Sequence, residues 1–279
     1  MSKIAYLNGR FVKLKDAKIN IEDRGFQFSD SIYEVIAFKN SKFIDLKFHL
    51  IRLRNSLKFI NIKYKFTNIN MEKFFLRLIS MNKINSGLIY IQITRGVQPR
   101  SHAYTMNLKP TIVIYIIKKN FNDKINKLIS KTAITYPDLR WKRRDIKSVS
   151  LLPNILAATE ASNKSSYEAI LIENGYVTEG TASNIWMVKN RILKTHPANS
   201  DILRGITRDS IKKLIKKYKL KLIEKKIKKE SLYISDEVFL TSSSSFVTPI
   251  VKIDNKLINK GKIGNITMEL ARLYNLRTI

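Results

Sequence analysis

The chain has 279 residues, 44% of them hydrophobic, which is enough for one large domain or two medium-sized domains with a real core. It has no cysteine and only three histidines, so disulfides, thiol catalysis and cysteine-ligated metals are excluded, and a histidine-rich metal site is not expected. The net charge of +30 comes mostly from lysine, which accompanies abundant isoleucine and asparagine; all three have A/T-rich codons, so genome composition explains the charge without a specific nucleic-acid partner.

The N-terminal half is predicted to alternate short strands with amphipathic helices. Its first residues lack the apolar core of a signal peptide, and no apolar run is long enough to span a bilayer, so we expect a cytoplasmic protein without membrane contact. Asn8-Gly9 favours a tight hairpin turn within 5–12. The other predicted elements are strands over 33–38 and 42–44, a helix over 47–61, a helix capped by Asn70, and strands over 88–94 and 111–117.

A polar stretch at 118–123 is the best candidate for a boundary between domains. It predicts an N-terminal α/β domain over 1–118, a linker over 119–123 and a C-terminal domain over 124–279. Since strands and helices interleave on both sides of this boundary, the predicted class is mixed α and β.

The C-terminal half continues this alternation. Predicted are a strand over 131–136 that Pro137 ends, a helix that Pro153 starts, strands over 169–172 and 183–188 around the turn Glu173-Asn174-Gly175, a helix over 206–220, and a strand over 237–240 before the hydroxyl run 241–245. The helix over 206–220 has one apolar face and one basic face, which is typical of a solvated surface helix. Its apolar residues are Ile211, Leu214, Ile215 and Tyr218, and its basic residues are Lys212, Lys213, Lys216 and Lys217.

Three features are typical of a phosphate site. Gly205 lets backbone approach a ligand at the start of the 206–220 helix, where free amides and Thr207 favour an anion. The hydroxyl run at 241–245 is a second anion-friendly segment, and Arg52 could add a cation. Each feature also has an ordinary structural explanation as a loop, a helix cap or a surface charge. No Gly-rich Lys-Ser/Thr loop is present, so a nucleotide P-loop is not predicted.

Two ionisable residues have contexts suited to cofactor chemistry. Lys147 has the apolar neighbours Ile146 and Val149, and a partly buried, neutral amine is what Schiff-base chemistry requires. A surface lysine is the alternative. Glu179 precedes Gly180 at the end of a predicted hairpin. A carboxylate there could keep a pyridine nitrogen protonated, or it could be exposed in a turn.

Short motifs occur in a consistent order along nearly the whole chain. They are Glu22-Asp23-Arg24-Gly25, residues 30–34, Thr94-Arg95-Gly96, Pro99-Arg100-Ser101-His102, and residues 145–148, 177–184, 195–199 and 205–209. In this order the motifs resemble the fold-type IV pyridoxal-phosphate family, and among its members the D-amino acid aminotransferases most closely.

The resemblance implies a fold, a cofactor and residue roles. The fold would have a small N-terminal α/β domain and a larger C-terminal barrel-like α/β domain, and the cofactor would be pyridoxal 5'-phosphate. Lys147 falls on the family's Schiff-base lysine, Glu179 on the partner of the pyridine nitrogen, and Leu203 on the position packed against the ring. The phosphate-binding positions are filled by Arg52, Ile206, Thr207, Ser242 and Ser243.

The resemblance to D-amino acid aminotransferases also implies a reaction. Tyr33, Arg100 and His102 fall on the positions that bind the substrate carboxylate. The implied activity is transamination between a D-amino acid such as D-alanine and a 2-oxo acid such as 2-oxoglutarate, giving pyruvate and D-glutamate. The family also implies a homodimer, with residues of the partner chain reaching into the site.

Three positions depart from the family's pattern: Ala182 replaces a hydroxyl residue, Phe246 an acidic residue, and Ser243 a threonine. A branched-chain L-amino acid aminotransferase and an aminodeoxychorismate lyase of the same fold are the alternatives, and the Arg100–His102 segment favours the D-enzyme over both. Outside the family, a nucleic-acid-binding protein would need an aromatic, arginine-rich face. The excess positive charge here comes from lysine spread along the chain, so this alternative is disfavoured. A catalytically inactive scaffold is disfavoured because the lysine, glutamate and phosphate positions are all filled.

Overall fold

The computed structural model describes residues 3–121 and 128–278. Contacts divide the chain into two compact units, one of Met1–Phe121 with Ile146–Ser150, and one of Asn122–Asp145 with Leu151–Ile279. The segment Ile146–Ser150, which the sequence placed in the second domain, therefore belongs with the first unit. The reason is local pairing, because Ser148 forms an antiparallel bridge with Ile32. Residues 122 and 123 of the predicted linker lie outside the described residues.

The first unit contains a six-stranded antiparallel sheet in the order β2-β1-β6-β5-β3-β4. The Asn8-Gly9 hairpin is confirmed, and both residues have positive φ, 47° and 97°. The strands are β1 (Ile4–Leu7), β2 (Arg10–Lys13), β3 (Ser31–Lys39), β4 (Lys42–Phe43), β5 (Ser86–Thr94) and β6 (Ile112–Lys118), and the helices are α1 (Arg24–Phe28), α2 (Leu46–Phe59) and α3 (Asn68–Asn82), with a short 3-10 turn at Leu14–Asp16.

The core of the first unit lies between its sheet and two helices. α2 packs on β3, and α3 packs on β1 and β6; the fully buried Leu50, Leu53 and Phe75 fill this layer. The prediction that Asn70 caps α3 is wrong. Thr67 is the cap, and its hydroxyl accepts a hydrogen bond from the Asn70 amide at 3.1 Å, which is the usual N-cap geometry.

The second unit contains a mixed sheet with the strand order β12-β11-β10-β14-β15-β7-β8-β9-β13, and β16 pairs with β15. Parallel pairs join β7 to β8 and β15, and β11 to β12. The strands are β7 (Lys131–Pro137), β8 (Glu168–Glu173), β9 (Tyr176–Gly180), β10 (Asn184–Lys189), β11 (Ile192–Thr195), β12 (Lys221–Glu224), β13 (Ile227–Lys228), β14 (Glu237–Ser242), β15 (Phe246–Ile253) and β16 (Lys256–Leu257). The helices are α4 (Leu152–Asn163), α5 (Ile206–Lys217), α6 (Lys229–Tyr233) and α7 (Asn265–Thr278), with a 3-10 turn at Asn259–Gly261.

Two sequence predictions are corrected in this unit. The turn at 173–175 leads into β9 and not directly into β10, because β9 pairs back on β8 as a hairpin. The basic helix is confirmed as α5, with Ile211, Leu214 and Ile215 buried, but it ends at Lys217 and Tyr218 is 45% exposed. Its apolar face therefore ends one turn earlier than predicted. Within residues 3–121 and 128–278, no helix combines the length and apolar character needed to cross a membrane.

Candidate active site

The Lys147 segment is held against β3 through its backbone. The Lys147 carbonyl accepts a hydrogen bond from the Tyr33 amide at 3.0 Å, and the Lys147 amide donates to the Ser56 hydroxyl on α2 at 3.3 Å. The Val149 amide donates to the Ser31 carbonyl at 3.2 Å. These bonds fix both sides of the peptide that carries the lysine, so the position of its Cα does not depend on its own side chain.

The Lys147 amine lies 4.1 Å from the centre of the Tyr33 ring. The side chain is half-buried, and among the described residues no carboxylate forms an ion pair with it. The amine lies over an aromatic face and, within the described chain, is not committed to a salt bridge. The amine is therefore available for reaction with a small molecule, which agrees with the role that the resemblance assigns to it.

A buried carboxylate lies on the opposite face of β3 from Tyr33. Along this strand Ile32, Glu34 and Ile36 are fully buried, since alternate side chains share a face. Glu34 accepts two hydrogen bonds from Arg52, at 2.6 Å from Nε and 2.9 Å from Nη2. Its other contact is with the Nδ1 atom of His49, at 2.7 Å. His49 and Arg52 are three residues apart on α2, and so both reach the same carboxylate.

The charges of this cluster follow from its burial and contacts. Burial raises the pKa of Glu34, but Arg52 and His49 oppose burial more strongly, and the pKa lies well below its usual range. Burial lowers the pKa of His49, Arg52 and Lys147 lower it further, and Glu34 only partly opposes this. The cluster is thus an ionised Glu34–Arg52 pair with a neutral histidine. Because an ionised carboxylate only accepts, Nδ1 of His49 must carry the donated proton.

Arg100 and His102, which with Tyr33 are predicted to bind the substrate carboxylate (the trap residues), lie on the loop after β5, around the Phe28 ring. The Arg100 guanidinium carbon is 4.6 Å from the centre of the Phe28 ring, and the His102 ring is 5.6 Å from it. Both side chains are exposed. Tyr33, the third predicted trap residue, makes no hydrogen bond or ring contact with either of them within the described chain; its ring stacks on Tyr90 at 5.8 Å.

Glu179 is the centre of a buried polar network in the second unit. It is 4% exposed, and it accepts hydrogen bonds from the Leu203 amide at 3.0 Å, from the Asn184 side-chain amide at 3.1 Å, and from Arg140. Arg140 also donates to Asp138, at 2.9 Å from Nε and 2.7 Å from Nη2. The network brings together the predicted Glu179 and Leu203, and the prediction that Glu179 could be an exposed turn residue is wrong.

The surroundings of Glu179 raise the pKa of its carboxyl group. Burial raises the pKa of Glu179, and Arg140 and the Leu203 amide oppose the rise without cancelling it. Asp138 and Glu179 raise the pKa of Arg140 against its burial, so the guanidinium stays charged. A carboxylate with a raised pKa is a stronger base, and such a group binds a protonated ring nitrogen more tightly.

At the predicted anion site, the backbone of Gly205 at the start of α5 lies close against the Asn184 side chain. A Cβ on Gly205 would lie 2.0 Å from the Asn184 side-chain oxygen, so a larger residue would have to displace that side chain from its bonds to Glu179 and Leu203. The first intrahelical bond runs from the Asp209 amide to the Gly205 carbonyl at 3.0 Å. Within the described chain, the amides of Ile206 and Thr207 have no protein acceptor, and they lie at the positive end of the helix dipole.

The hydroxyl run forms the tip of the β14–β15 hairpin. The Ser242 hydroxyl lies 2.6 Å from that of Ser245 and accepts a hydrogen bond from the Ser245 amide at 3.1 Å. Ser243 is half-buried beside them. Phe246 has φ 59°, in the left-handed region, and packs on Tyr274 at 5.6 Å. The departure at this position therefore replaces a polar side chain with an apolar contact to α7 and leaves the hydroxyls in the turn.

The sequence assigns no role in a site to Glu34, His49, Asp138 or Arg140, although Glu34 lies in the motif 30–34. The one usable signal is Glu34 itself, an acidic residue between Ile32 and Ile36 at alternate positions of a strand, where a buried charge needs partners. Its partners lie 15 and 18 residues away in sequence, so only the folded chain identifies them.

The chain resembles known proteins over most of its length. Residues 31–253 match the class IV aminotransferases. The chain is 38% identical over 262 residues to the D-alanine aminotransferase of Bacillus licheniformis, covering 93% of this chain and 92% of that protein. It is 39% identical over 272 residues to the D-alanine aminotransferase of Staphylococcus aureus (strain N315), covering 97% and 95%.

Two solved structures show the same fold. The branched-chain amino acid aminotransferase of Escherichia coli superposes with a TM-score of 0.91 at 24% identity, covering 100% of this chain and 95% of that one. The branched-chain aminotransferase of the archaeon Thermoproteus uzoniensis, solved with norvaline, gives a TM-score of 0.87 at 27% identity, covering 98% and 94%. The predicted mixed α/β fold of type IV is thereby confirmed. By its matched length and the identity to its relatives, the chain belongs to the class IV aminotransferase family.

Proposed function

We propose that the protein is a pyridoxal-phosphate-dependent aminotransferase acting on D-amino acids such as D-alanine, with a 2-oxo acid such as 2-oxoglutarate as acceptor. The observation that carries this proposal is the Arg100–His102 pair around Phe28, in a chain at 38% identity to a D-alanine aminotransferase. A cytoplasmic location and a homodimer belong to the same proposal.

The residues present fit pyridoxal phosphate. The first-turn amides of α5 are open to an anion, and Thr207 is 2% exposed with its hydroxyl in no hydrogen bond within the described chain. The Glu179 network offers a buried, basic carboxylate, and Lys147 offers an amine without an ion pair. These are the three groups that a phosphate, a pyridine nitrogen and an aldehyde require.

Each residue has a role in the proposed mechanism. When bound, pyridoxal phosphate supplies an electrophilic carbonyl and a ring that accepts electrons. Lys147 would hold it through Nζ, and the same Nζ would act as the base for the proton on the substrate α-carbon. Glu179 would keep the ring nitrogen protonated, and Leu203 would pack against the ring. Arg52, Ile206, Thr207, Ser242 and Ser243 hold the phosphate.

Recognition of the substrate carboxylate is assigned to Arg100, His102 and Tyr33. The loop pair is exposed and makes no hydrogen bond or ring contact with Tyr33 within the described chain, which supports a site completed by a second chain. In the proposed homodimer, Arg100 and His102 act in the site of the partner, which agrees with the expectation that partner residues reach in. Ultracentrifugation of the holoenzyme and mixing of Arg100→Leu with Lys147→Ala chains test this arrangement. A hybrid that regains activity supports it, and a hybrid that remains inactive contradicts it.

The preference for D-amino acids is tested with Arg100→Leu. Loss of a charge-assisted contact to the carboxylate costs about 1.5–3 kcal/mol, or roughly ten- to a hundredfold in kcat/KM. We expect this fall for D-alanine, with the cofactor absorption spectrum unchanged, and we expect the parent to prefer D-alanine to L-leucine and L-valine with 2-oxoglutarate as acceptor. A parent that prefers the L-amino acids would show that the substrate class is wrong, while the family would stand.

Cofactor retention is expected to depend on Arg52 and on the Glu34 that pairs with it. Arg52→Ala should raise the dissociation constant for pyridoxal phosphate by roughly tenfold or more, because one charge-assisted contact is lost. Glu34→Gln should act in the same direction, since the guanidinium loses its ionised partner. Retention is measured by dialysis followed by titration with the cofactor.

Arg54→Ala is the matched control for this prediction. Arg54 lies on the same helix but stacks on Phe66, with its guanidinium carbon 4.6 Å from the ring centre. The Arg54→Ala variant should retain the cofactor as the parent does. If Arg52→Ala also keeps its cofactor through dialysis, Arg52 does not bind the phosphate.

A further inference from the structure

The loop that carries Arg100 and His102 has no regular secondary structure between Gln98 and Lys109, and its trap residues are exposed. An exposed loop loses conformational entropy when a ligand orders it, and that loss weakens binding. A carboxylate site on such a loop is effective only if the loop is already held in the binding conformation. The contacts that hold it therefore determine how well the substrate binds.

Arg24 makes these contacts from outside the loop. It is 4% exposed, and its guanidinium donates to the Ser101 carbonyl at 2.6 Å and to the His102 carbonyl at 3.0 Å. Its Nε atom donates to Asp30 at 2.8 Å. One planar guanidinium thus fixes two successive carbonyl groups of the loop, next to both trap residues.

The backbone of Arg24 is itself held against the end of β5. The Arg24 amide donates to the Gly96 carbonyl at 2.9 Å, and Asp23 forms an antiparallel bridge with Val97. A Cβ on Gly25 would lie 2.4 Å from the Thr94 methyl group, so the chain after Arg24 packs tightly on this strand end. The Arg24 backbone is therefore held in place, and the hydrogen bonds of its guanidinium restrict the conformation of the loop.

Phe28 completes the arrangement. The guanidinium carbons of Arg24 and Arg100 lie 4.8 Å and 4.6 Å from the centre of its ring, and the His102 ring lies 5.6 Å from it. Arg24 and Arg95 share the Asp30 carboxylate, whereas Arg100 forms no ion pair within the described chain. The cluster therefore keeps an uncompensated cation beside a histidine, and a carboxylate would neutralise it.

We propose that Arg24 is a positioning residue for the substrate carboxylate, acting through the Ser101 and His102 carbonyls and through Phe28 on the side chains of Arg100 and His102. This role rests on the proposed function, because it assigns those two side chains to the substrate. Arg24 does not itself contact the substrate. Its effect is to present Arg100 and His102 in the geometry that binds the carboxylate.

The test is a double-mutant cycle on the holoenzyme. Arg24→Lys keeps the charge but cannot hold two carbonyls and Asp30 with one planar group. We expect KM for D-alanine to rise about tenfold, with kcat and the cofactor absorption spectrum close to the parent. Combined with Arg100→Leu, the substitution should add little, because residues that act on one contact are not additive. Phe28→Leu should raise KM in the same direction. Arg54→Lys, which alters a half-buried guanidinium over another phenylalanine ring in the same unit, should leave KM unchanged.

The outcomes separate this role from the proposed function. If the parent uses D-alanine and Arg100→Leu raises KM, but Arg24→Lys leaves KM at the parent value, then the role of Arg24 is wrong and the function stands. Equal loss of kcat, loss of cofactor, or full additivity with Arg100→Leu would show a merely structural role and would overturn the inference. If Arg24→Lys does not fold, Phe28→Leu decides, and an unchanged KM in that variant overturns it. A parent that is inactive on D-alanine refutes the function first.

Discussion

Lys147→Ala is expected to abolish transamination, with a loss of at least about a thousandfold in kcat, because both the covalent link to the cofactor and the base for the α-proton are removed. The fold should survive, since the backbone bonds of Lys147 to Tyr33 and Ser56 do not involve its side chain. Initial rates with D-alanine and 2-oxoglutarate measure the loss. The visible absorption of the lysine-bound cofactor should disappear from the variant.

Borohydride reduction of the parent holoenzyme locates the link independently of activity. After reduction and digestion, peptide mapping should find the pyridoxyl group on Lys147. Lys142→Ala is the matched control, since Lys142 lies five residues away and pairs with Glu173 at the surface. It should keep both the label and the rate. A pyridoxyl group on any other lysine would contradict the assignment.

Local rules predict those elements whose signals are contained in a short segment. The Asn8-Gly9 hairpin follows from two residues that tolerate positive φ, and α2 follows from its helical spacing of leucines. The start of α3 is misplaced because Thr67 and Asn70 are both acceptable caps, and only the observed hydrogen bond distinguishes them. β9 is absent from the prediction because its residues, Tyr176–Gly180, include a buried threonine and glutamate that hide the strand pattern.

The candidate site is predicted unevenly for a related reason. Lys147 and Glu179 can be found because each lies in a short motif that carries the resemblance to the family. Their supports cannot, because Arg140 reaches Glu179 across 39 residues of sequence, and Glu34 meets Arg52 across 18. A buried charge signals that a partner exists, but the identity of that partner is a property of the sheet and helix packing.

Glu179→Gln is expected to slow the reaction by more than about a hundredfold while leaving cofactor binding in place. The substitution keeps an acceptor for the Leu203 amide, which lies 3.0 Å from the carboxylate, but it removes the negative charge beside Arg140. Arg140 then remains as a buried charge without this partner, and it disfavours a proton on the ring nitrogen. The ring accepts electrons less well without that proton, so the activation free energy of the chemical step rises.

The measurement is the rate of the half-reaction with D-alanine, followed by cofactor absorption in a single turnover, because this separates the chemical step from binding of the second substrate. Glu173→Gln is the matched control. Glu173 also pairs with an arginine, Arg144, and its pKa is lowered to about 2 by hydrogen bonds from Arg144 and Lys142. Its replacement removes an ion pair from the same unit but no direct contact of Glu179, because Arg144 reaches that network only at Asp138 and at the Arg140 carbonyl, each at 3.4 Å, so the half-reaction should run near the parent rate. If Glu179→Gln also runs at the parent rate, the carboxylate does not hold the ring nitrogen; if both variants are slow, the loss reflects the unit's ion pairs and not the ring.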